Sequence, residues 1–266
     1  MDVHFPNAAP GTQGLPFEDE ASLMGEKHEG FARYNRDGAL SPAERRAFVN
    51  EYDRELIYLD RWLGVLLDYL ESSGRGAGTL VVLTSDHGEL LGEHDQVAHM
   101  KDLYNEVVNI PLIVWEPGAT PGRSSRAVQG LDLFPTILRY LGLPIPAAAQ
   151  GQPLMEADHP IVSELYYAML SRFRGDDRKR YDRILRTIRV GEHRSFLSSN
   201  GEERLFDLRG DPQEARNLIA ELPAVAASGR ARLEEWLRST PEAQPQVPQE
   251  VDAETLESLR ALGYVR

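Results

Sequence analysis

The chain has no cysteine in 266 residues. That excludes disulfides and thiolate-bound metals, and it leaves the compartment open. No apolar run approaches the roughly 20 residues that span a bilayer. The opening residues also lack the charged and apolar regions of a secretory signal. Positive charge is in the minority: 29 Lys and Arg stand against 42 Asp and Glu, a net of −13. Nonspecific nucleic-acid binding rests on phosphate neutralisation by Lys and Arg, so nucleic acid is excluded as a partner. A small anionic substrate is still allowed, because one metal ion and one lysine can dominate the field inside a site. The length suffices for one large or two small domains with a sizeable core. Oligomeric state is not legible.

Residues 1–40 are rich in Gly, Pro and charge and read as irregular. Ser41-Pro42-Ala-Glu44 is a helix start, with an N-cap serine, proline at the first helical position and a capping-box glutamate. Phe48, Tyr52, Leu56, Leu59, Leu63, Leu66 and Leu70 then recur at helical spacing, and Gly74 is a natural stop. A strand is expected at 79–84 and a second buried strand at 110–115. Pro135 to Tyr140 reads as a helix closed by Gly142, and His159 to Glu164 as a short strand. Beyond residue 180 the segments shorten: Ile184–Val190, Ser195–Leu197 and Arg204–Leu208, with the turn signal Ser199-Asn200-Gly201. They predict a small antiparallel sheet, followed by a packing helix over Pro223–Leu237. A Pro/Gln-rich linker and a short terminal helix, Ala253–Leu262, close the chain. The division expected is 1–178, 179–238 and 239–266.

The chemistry concentrates in Thr79-Leu-Val-Val-Leu-Thr-Ser-Asp86-His87-Gly88, followed by Ala98-His99-Met-Lys101-Asp-Leu-Tyr104. A near-continuous apolar run is the signature of a buried parallel strand. Ligands in open α/β sheets bind outside the carboxyl ends of such strands. Asp86 and His87 sit there, and a carboxylate with an imidazole suits a borderline-to-hard dication. Lys101 can offset negative charge beside that ion. His99, two residues earlier, reads as a general acid, an orienting group or a packed imidazole. Tyr104 and Glu106 read as helix-start residues with a packing role. The cluster Arg172, Arg174, Arg178, Lys179 and Arg180 reads as a solvated loop.

These motifs resemble the sulfatases of the alkaline phosphatase superfamily. The resemblance extends to Tyr52-Asp-Arg-Glu-Leu-Ile-Tyr58-Leu-Asp60, Asn109-Ile-Pro111-Leu-Ile-Val-Trp115, Leu131-Asp132-Leu-Phe-Pro135-Thr136 and Phe206-Asp207-Leu-Arg-Gly-Asp211-Pro212. It implies an α/β fold: an incomplete alkaline-phosphatase-like sandwich of helices around a mainly parallel sheet, with a small C-terminal antiparallel subdomain. It implies Asp86 and His87 as metal ligands, with calcium as the ion and manganese as the alternative. It implies Lys101 against the sulfuryl oxygens, with His99 near it. His4, in Asp2-Val-His4-Phe-Pro6, resembles the family histidine at the leaving group. The implied substrate is a sulfate-ester (or phosphate-ester) small molecule or glycan, and a periplasmic or secreted parent fits.

The resemblance also implies a formylglycine nucleophile, made from a Cys/Ser-x-Pro-x-Arg element. The chain contains neither version. Ala119-Thr-Pro121-Gly-Arg123 has the spacing, but with alanine in the reacting position and after the metal strand. The expectation is therefore a sulfatase portion without its nucleophile region, inactive alone. The alternatives are a non-catalytic remnant, or a parent that hydrolyses phosphodiesters or phosphonate monoesters.

Overall fold

The computed structural model describes residues 40–99, 101–166 and 179–240. His4, Arg172, Arg174, Arg178 and the terminal helix lie outside them. Helix α1 (Pro42–Ser72) starts as its sequence dictates. The Ser41 side chain accepts from the Glu44 backbone N–H, the Glu44 carboxylate accepts from the Ser41 N–H, and Pro42 occupies the first turn. Its apolar stripe is largely open to solvent, with Tyr52, Leu56, Leu59 and Leu66 all exposed.

Strand β1 (Val81–Thr84) pairs with β4 (Leu112–Trp115), Val81 opposite Trp115 and Thr84 opposite Leu112. Between them lie a hairpin of two short strands, β2 (Leu90–Leu91) and β3 (Val97–Ala98), and a single helical turn, α2 (Asn105–Val108). The pair β1–β4 is antiparallel, which corrects the expected parallel arrangement of these two strands. The reason is in the connection: a parallel neighbour requires a crossover, usually through a substantial helix, and α2 has four residues. Every strand pairing among the described residues is antiparallel. Nor is β4 buried: Ile113, Val114 and Trp115 are exposed.

Helix α3 (Leu133–Tyr140) follows a 3-10 turn at Gly130–Asp132. A four-stranded meander then forms in the order β5 (Ile161–Tyr166), β6 (Ile184–Val190), β7 (His193–Ser198) and β8 (Glu203–Asp207). The last three strands match the expected antiparallel sheet. β5 joins them as the edge strand, from the other side of the 178/179 division. Helix α4 (Pro223–Ser239) contacts β6 and β7.

The principal core joins the motif segment to this sheet. Leu90, Leu103, Tyr104 and Val107 pack with Leu185, Phe196 and Phe206. The segment carrying the candidate chemistry is therefore held from below by the C-terminal meander.

Candidate functional site

Asp86 and His87 follow β1 by two and three residues, at its C-terminal end as the apolar run implies. Gly88 comes next because nothing larger fits. Its N–H donates to the Val107 carbonyl at 2.7 Å, and a Cβ there would lie 2.0 Å from the Glu106 carbonyl oxygen. This contact ties the strand exit to α2.

The His87 ring is fixed by its neighbours. Nδ1 lies 3.0 Å from the Gly88 carbonyl oxygen. A carbonyl only accepts, so Nδ1 carries the proton and Nε2 keeps a lone pair. That Nε2 lies 3.6 Å from Asp86 Oδ2, and the two form an ion pair only when the ring is doubly protonated. The Asp86 side chain is 77% exposed. Burial would raise its pKa, but attraction to the His87 ring in its protonated form, together with backbone N–H groups and the Ser85 hydroxyl, outweighs it and holds the carboxyl below its usual range.

The hairpin supplies a partner that the sequence reading missed. Leu90 pairs with Ala98, so one step further out Glu89 stands opposite His99. The His99 Nδ1 donates to Glu89 Oε2 at 2.9 Å. The His99 ring also stacks on His87, centroids 3.9 Å apart and planes at 33°. Among the described residues, His87, Glu89 and His99 bring ligand atoms within 4.8 Å of one another. Two buried atoms of this trio, Glu89 Oε1 and His99 Nε2, have no hydrogen-bond partner. Buried polar atoms are nearly always paired. A carboxylate oxygen and an imidazole nitrogen beside a second imidazole are donor types that a divalent metal accepts. The signal was present in the alternation Glu89-Leu90-Leu91 against Val97-Ala98-His99, with Gly92 between, but it needs the register to be read.

Lys101 is buried, 4% exposed, and so is not a solvated surface lysine. The next residue, Asp102, accepts from Arg183 at 3.1 Å and from Arg204 at 2.9 and 3.1 Å. Arg204 also donates to the Tyr104 hydroxyl and lies over the Tyr104 and Phe196 rings. Tyr104 stacks on His94 at 3.5 Å and belongs to the core, the packing role expected of it. His159, which carries no signal in sequence, places Nε2 2.7 Å from the fully buried Asp132. That carboxylate also accepts from the Gln129 and Gln152 backbone N–H groups and so closes the loop beside α3.

The sequence model described as Sulfatase matches residues 5–143, just over half of the chain. The chain belongs to the sulfatase family. A second model, N-sulphoglucosamine sulphohydrolase, C-terminal, matches residues 92–239. Arylsulfatase K of Bos taurus is 32% identical over 195 residues, covering 68% of this chain and 34% of that protein. N-acetylglucosamine-6-O-sulfatase of Bacteroides thetaiotaomicron is 27% identical over 190 residues, covering 69% and 34%. The chain thus spans about a third of the length of these relatives. One solved structure, a protein in complex with its substrate D-glucosamine-2-N,6-O-disulfate, aligns with a TM-score of 0.63 at 22% identity, over 87% of this chain and 48% of that one. Phosphonate monoester hydrolase of Agrobacterium radiobacter aligns at 0.61 and 22%, over 73% and 42%. These likenesses establish the fold: α/β and alkaline-phosphatase-like, with a small antiparallel sheet.

Proposed function

We propose that this sulfatase-family chain carries the metal-and-lysine part of the catalytic centre of a divalent-metal-dependent hydrolase, acting on a sulfate ester of a small molecule or glycan. The observation that carries the reading is the trio at the exit of β1. His87, Glu89 and His99 are clustered there with open buried donor atoms, and Asp86 is in contact with His87. The names of the relatives support the substrate class. One is an N-acetylglucosamine-6-O-sulfatase, and one structural neighbour holds a sulfated glucosamine.

In this reading Asp86 and His87 hold the ion, calcium by family resemblance or manganese because of the imidazole donor. A bound dication supplies charge that stabilises the ester oxygens. Lys101 offsets the negative charge that grows as the ester bond breaks. His99, or His4, is the candidate to protonate the departing alcohol. The formylglycine nucleophile does not fit these residues, since no Cys- or Ser-x-Pro-x-Arg occurs in the chain. The 266 residues alone are therefore inactive. In this reading residues 1–178 carry the partial site and 179–238 brace it, with β5 joining their sheet. Hydrolysis of a phosphonate monoester or phosphodiester is the second reading, favoured by the fold likeness to phosphonate monoester hydrolase.

The deciding experiment assays the purified chain on aryl sulfate, aryl phosphate diester and aryl phosphonate, with calcium or manganese, beside calorimetric titration of each ion. Metal binding lost in Asp86→Ala and His87→Ala, with no turnover, supports the proposal. Turnover that Asp86→Ala abolishes would show a nucleophile within these residues and overturn the inactive-alone reading. Metal binding indifferent to both substitutions would overturn the site.

A further inference from the structure

A second, polar cavity takes no part in the metal-and-lysine reading. It measures about 210 Å³ and is lined by Arg126, Asp158, His159, Ile161, Arg189 and Gly191. These residues come from the loop that precedes α3, the approach and start of β5, and the end of β6 with its turn into β7. The geometry points to this cavity as an oxyanion site, in which the Arg126 and Arg189 guanidinium groups take one sulfate group, either free or carried on a glycan. It shares no residue with the metal-and-lysine site, so either assignment can fail without the other.

Three observations carry the inference. First, the two arginines reach the cavity without an acidic partner. Arg45, Arg139, Arg183, Arg186 and Arg204 each pair with a carboxylate. Among the described residues, Arg126 and Arg189 instead donate to backbone carbonyls and form no ion pair. Second, both side chains are anchored. Arg126 Nη1 donates to the Ala157 carbonyl at 2.8 Å, and Arg189 Nε donates to the Gly191 carbonyl at 3.0 Å. A guanidinium carries five N–H donors, so each is held by one and keeps others for a ligand. Anchoring also lowers the ordering cost of binding. Third, the sheet register sets Arg189 opposite Ile161 on one side and opposite Arg194 on the other. Like charges directly opposite on a sheet repel. The Arg194 charge is matched by Glu214 at 3.0 Å, whereas that of Arg189 is not. An anion beside Arg189 offsets the repulsion.

The remaining walls set the ligand. His159 places Nε2 2.7 Å from Asp132 and Nδ1 2.9 Å from the Gln129 amide nitrogen. Both ring nitrogens are occupied, so the imidazole is a fixed wall and the arginines supply the donors. Guanidinium forks match oxyanions, and charge-assisted bonds of this kind are the strong ones. A tetrahedral sulfate has oxygens for both forks, whereas a carboxylate satisfies one. Asp158 is the one acidic side chain lining the cavity. It is exposed, and its charge opposes an anion.

The test is calorimetric titration of the full chain, with chelator present so that no metal holds the anion. The probes are sodium sulfate and glucosamine 6-O-sulfate, with sodium chloride at equal ionic strength as the control. Sulfate should bind, and Arg126→Gln and Arg189→Gln should each weaken it roughly ten-fold, the worth of one hydrogen bond between charged groups. Asp158→Asn, which removes the opposing charge, should tighten it. Tighter binding of the sugar sulfate than of the inorganic ion, lost in the same arginine variants, identifies the ligand as a glycan sulfate, and equal affinities identify the free ion. A response to sulfate no larger than that to chloride, or affinities unchanged in both arginine variants, would overturn the inference. A second measurement needs no variant. In arginine-labelled wild-type protein, sulfate should shift the Nε resonances of Arg126 and Arg189 and leave those of Arg183 and Arg204, which are buried against Asp102, in place. Sulfate that moves neither Arg126 nor Arg189 would sink the proposal.

Discussion

Asp102 and Arg204 meet through both carboxylate oxygens, at 2.9 and 3.1 Å, across about a hundred residues of sequence. Both are largely buried. Burial would lower the Arg204 pKa, but Asp102 outweighs it and holds the guanidinium above its usual value. Because Asp102 adjoins Lys101, this pair couples the Lys101 segment to strand β8. Arg183 on the same carboxylate makes it a triad.

Asp102→Ala removes the buried carboxylate shared by Arg183 and Arg204 and leaves them only the more exposed Glu202. Removing one partner of a buried ion pair costs about 3–5 kcal/mol, against a net domain stability of roughly 5–15 kcal/mol. Asp102→Ala should therefore abolish cooperative unfolding or shift it sharply to lower denaturant. The double variant Asp102→Ala/Arg204→Met should lose less than the sum of the two singles, because the orphaned charge is removed as well. Strict additivity in urea titrations would show that the pair is not coupled.

Gly88→Ala should be among the most damaging single-methyl additions in the chain. The new Cβ would sit 2.0 Å from the Glu106 carbonyl oxygen, which forces backbone movement at both the strand exit and α2. Overpacking of this kind costs typically about 1–3 kcal/mol or more. Thermal melting should show a clear drop with loss of metal binding, and an unchanged melting temperature would refute the close contact.

Glu93 braces the hairpin by accepting from the Leu91 N–H at 2.6 Å and from Arg45 on α1 at 2.6 Å. Burial would raise its pKa, but backbone N–H groups and Arg45 outweigh it, so the folded carboxyl sits below the usual range. A carboxyl depressed in the folded state contributes stability above its unfolded pKa and loses it as pH falls through the folded value. Glu93→Gln should cost roughly 0.5–1.5 kcal/mol near pH 7, the smaller end reflecting solvent screening. The difference should vanish once pH drops below the ordinary carboxylate range. A pH-independent difference in urea titrations between pH 7 and 3 would exclude the ionised carboxylate as the cause.

An apolar groove of about 720 Å³ runs between α1 and the β1–β4 pair, lined by Leu63, Leu67, Val81, Leu83, Ile113 and Trp115. Together with the exposed Leu59, Trp62 and Leu66, it forms a patch of the kind that marks association or aggregation. Each well-buried Val, Leu or Ile contributes roughly 1.5–3 kcal/mol relative to exposure, so uncovering several is comparable with the whole stability. The chain should self-associate in size-exclusion chromatography as concentration rises, bind a hydrophobic dye and unfold broadly. Trp115→Glu should reduce the association. A monomer at every concentration, with one sharp transition, would show that the open face is tolerated.

Local chemistry made much of this protein legible from sequence. The Ser41–Glu44 cap names the start of α1, the apolar run ending in Asp86-His87-Gly88 names a strand exit, and short strands around Ser199-Asn200-Gly201 name the β6–β8 meander. Each depends on neighbours within a few residues, so the pattern travels with the sequence. Three features waited for the tertiary structure. The direction of β4 against β1 was one: the apolar run reads as a buried parallel strand, yet the two strands pair antiparallel and β4 is exposed. The second was the pairing of Glu89 with His99, which appears only once the Leu90–Ala98 register is set. The third was the convergence of Arg183 and Arg204 on Asp102. That burial of charge is tolerable only because distant strands bring both partners to one carboxylate, and no local window of sequence contains them.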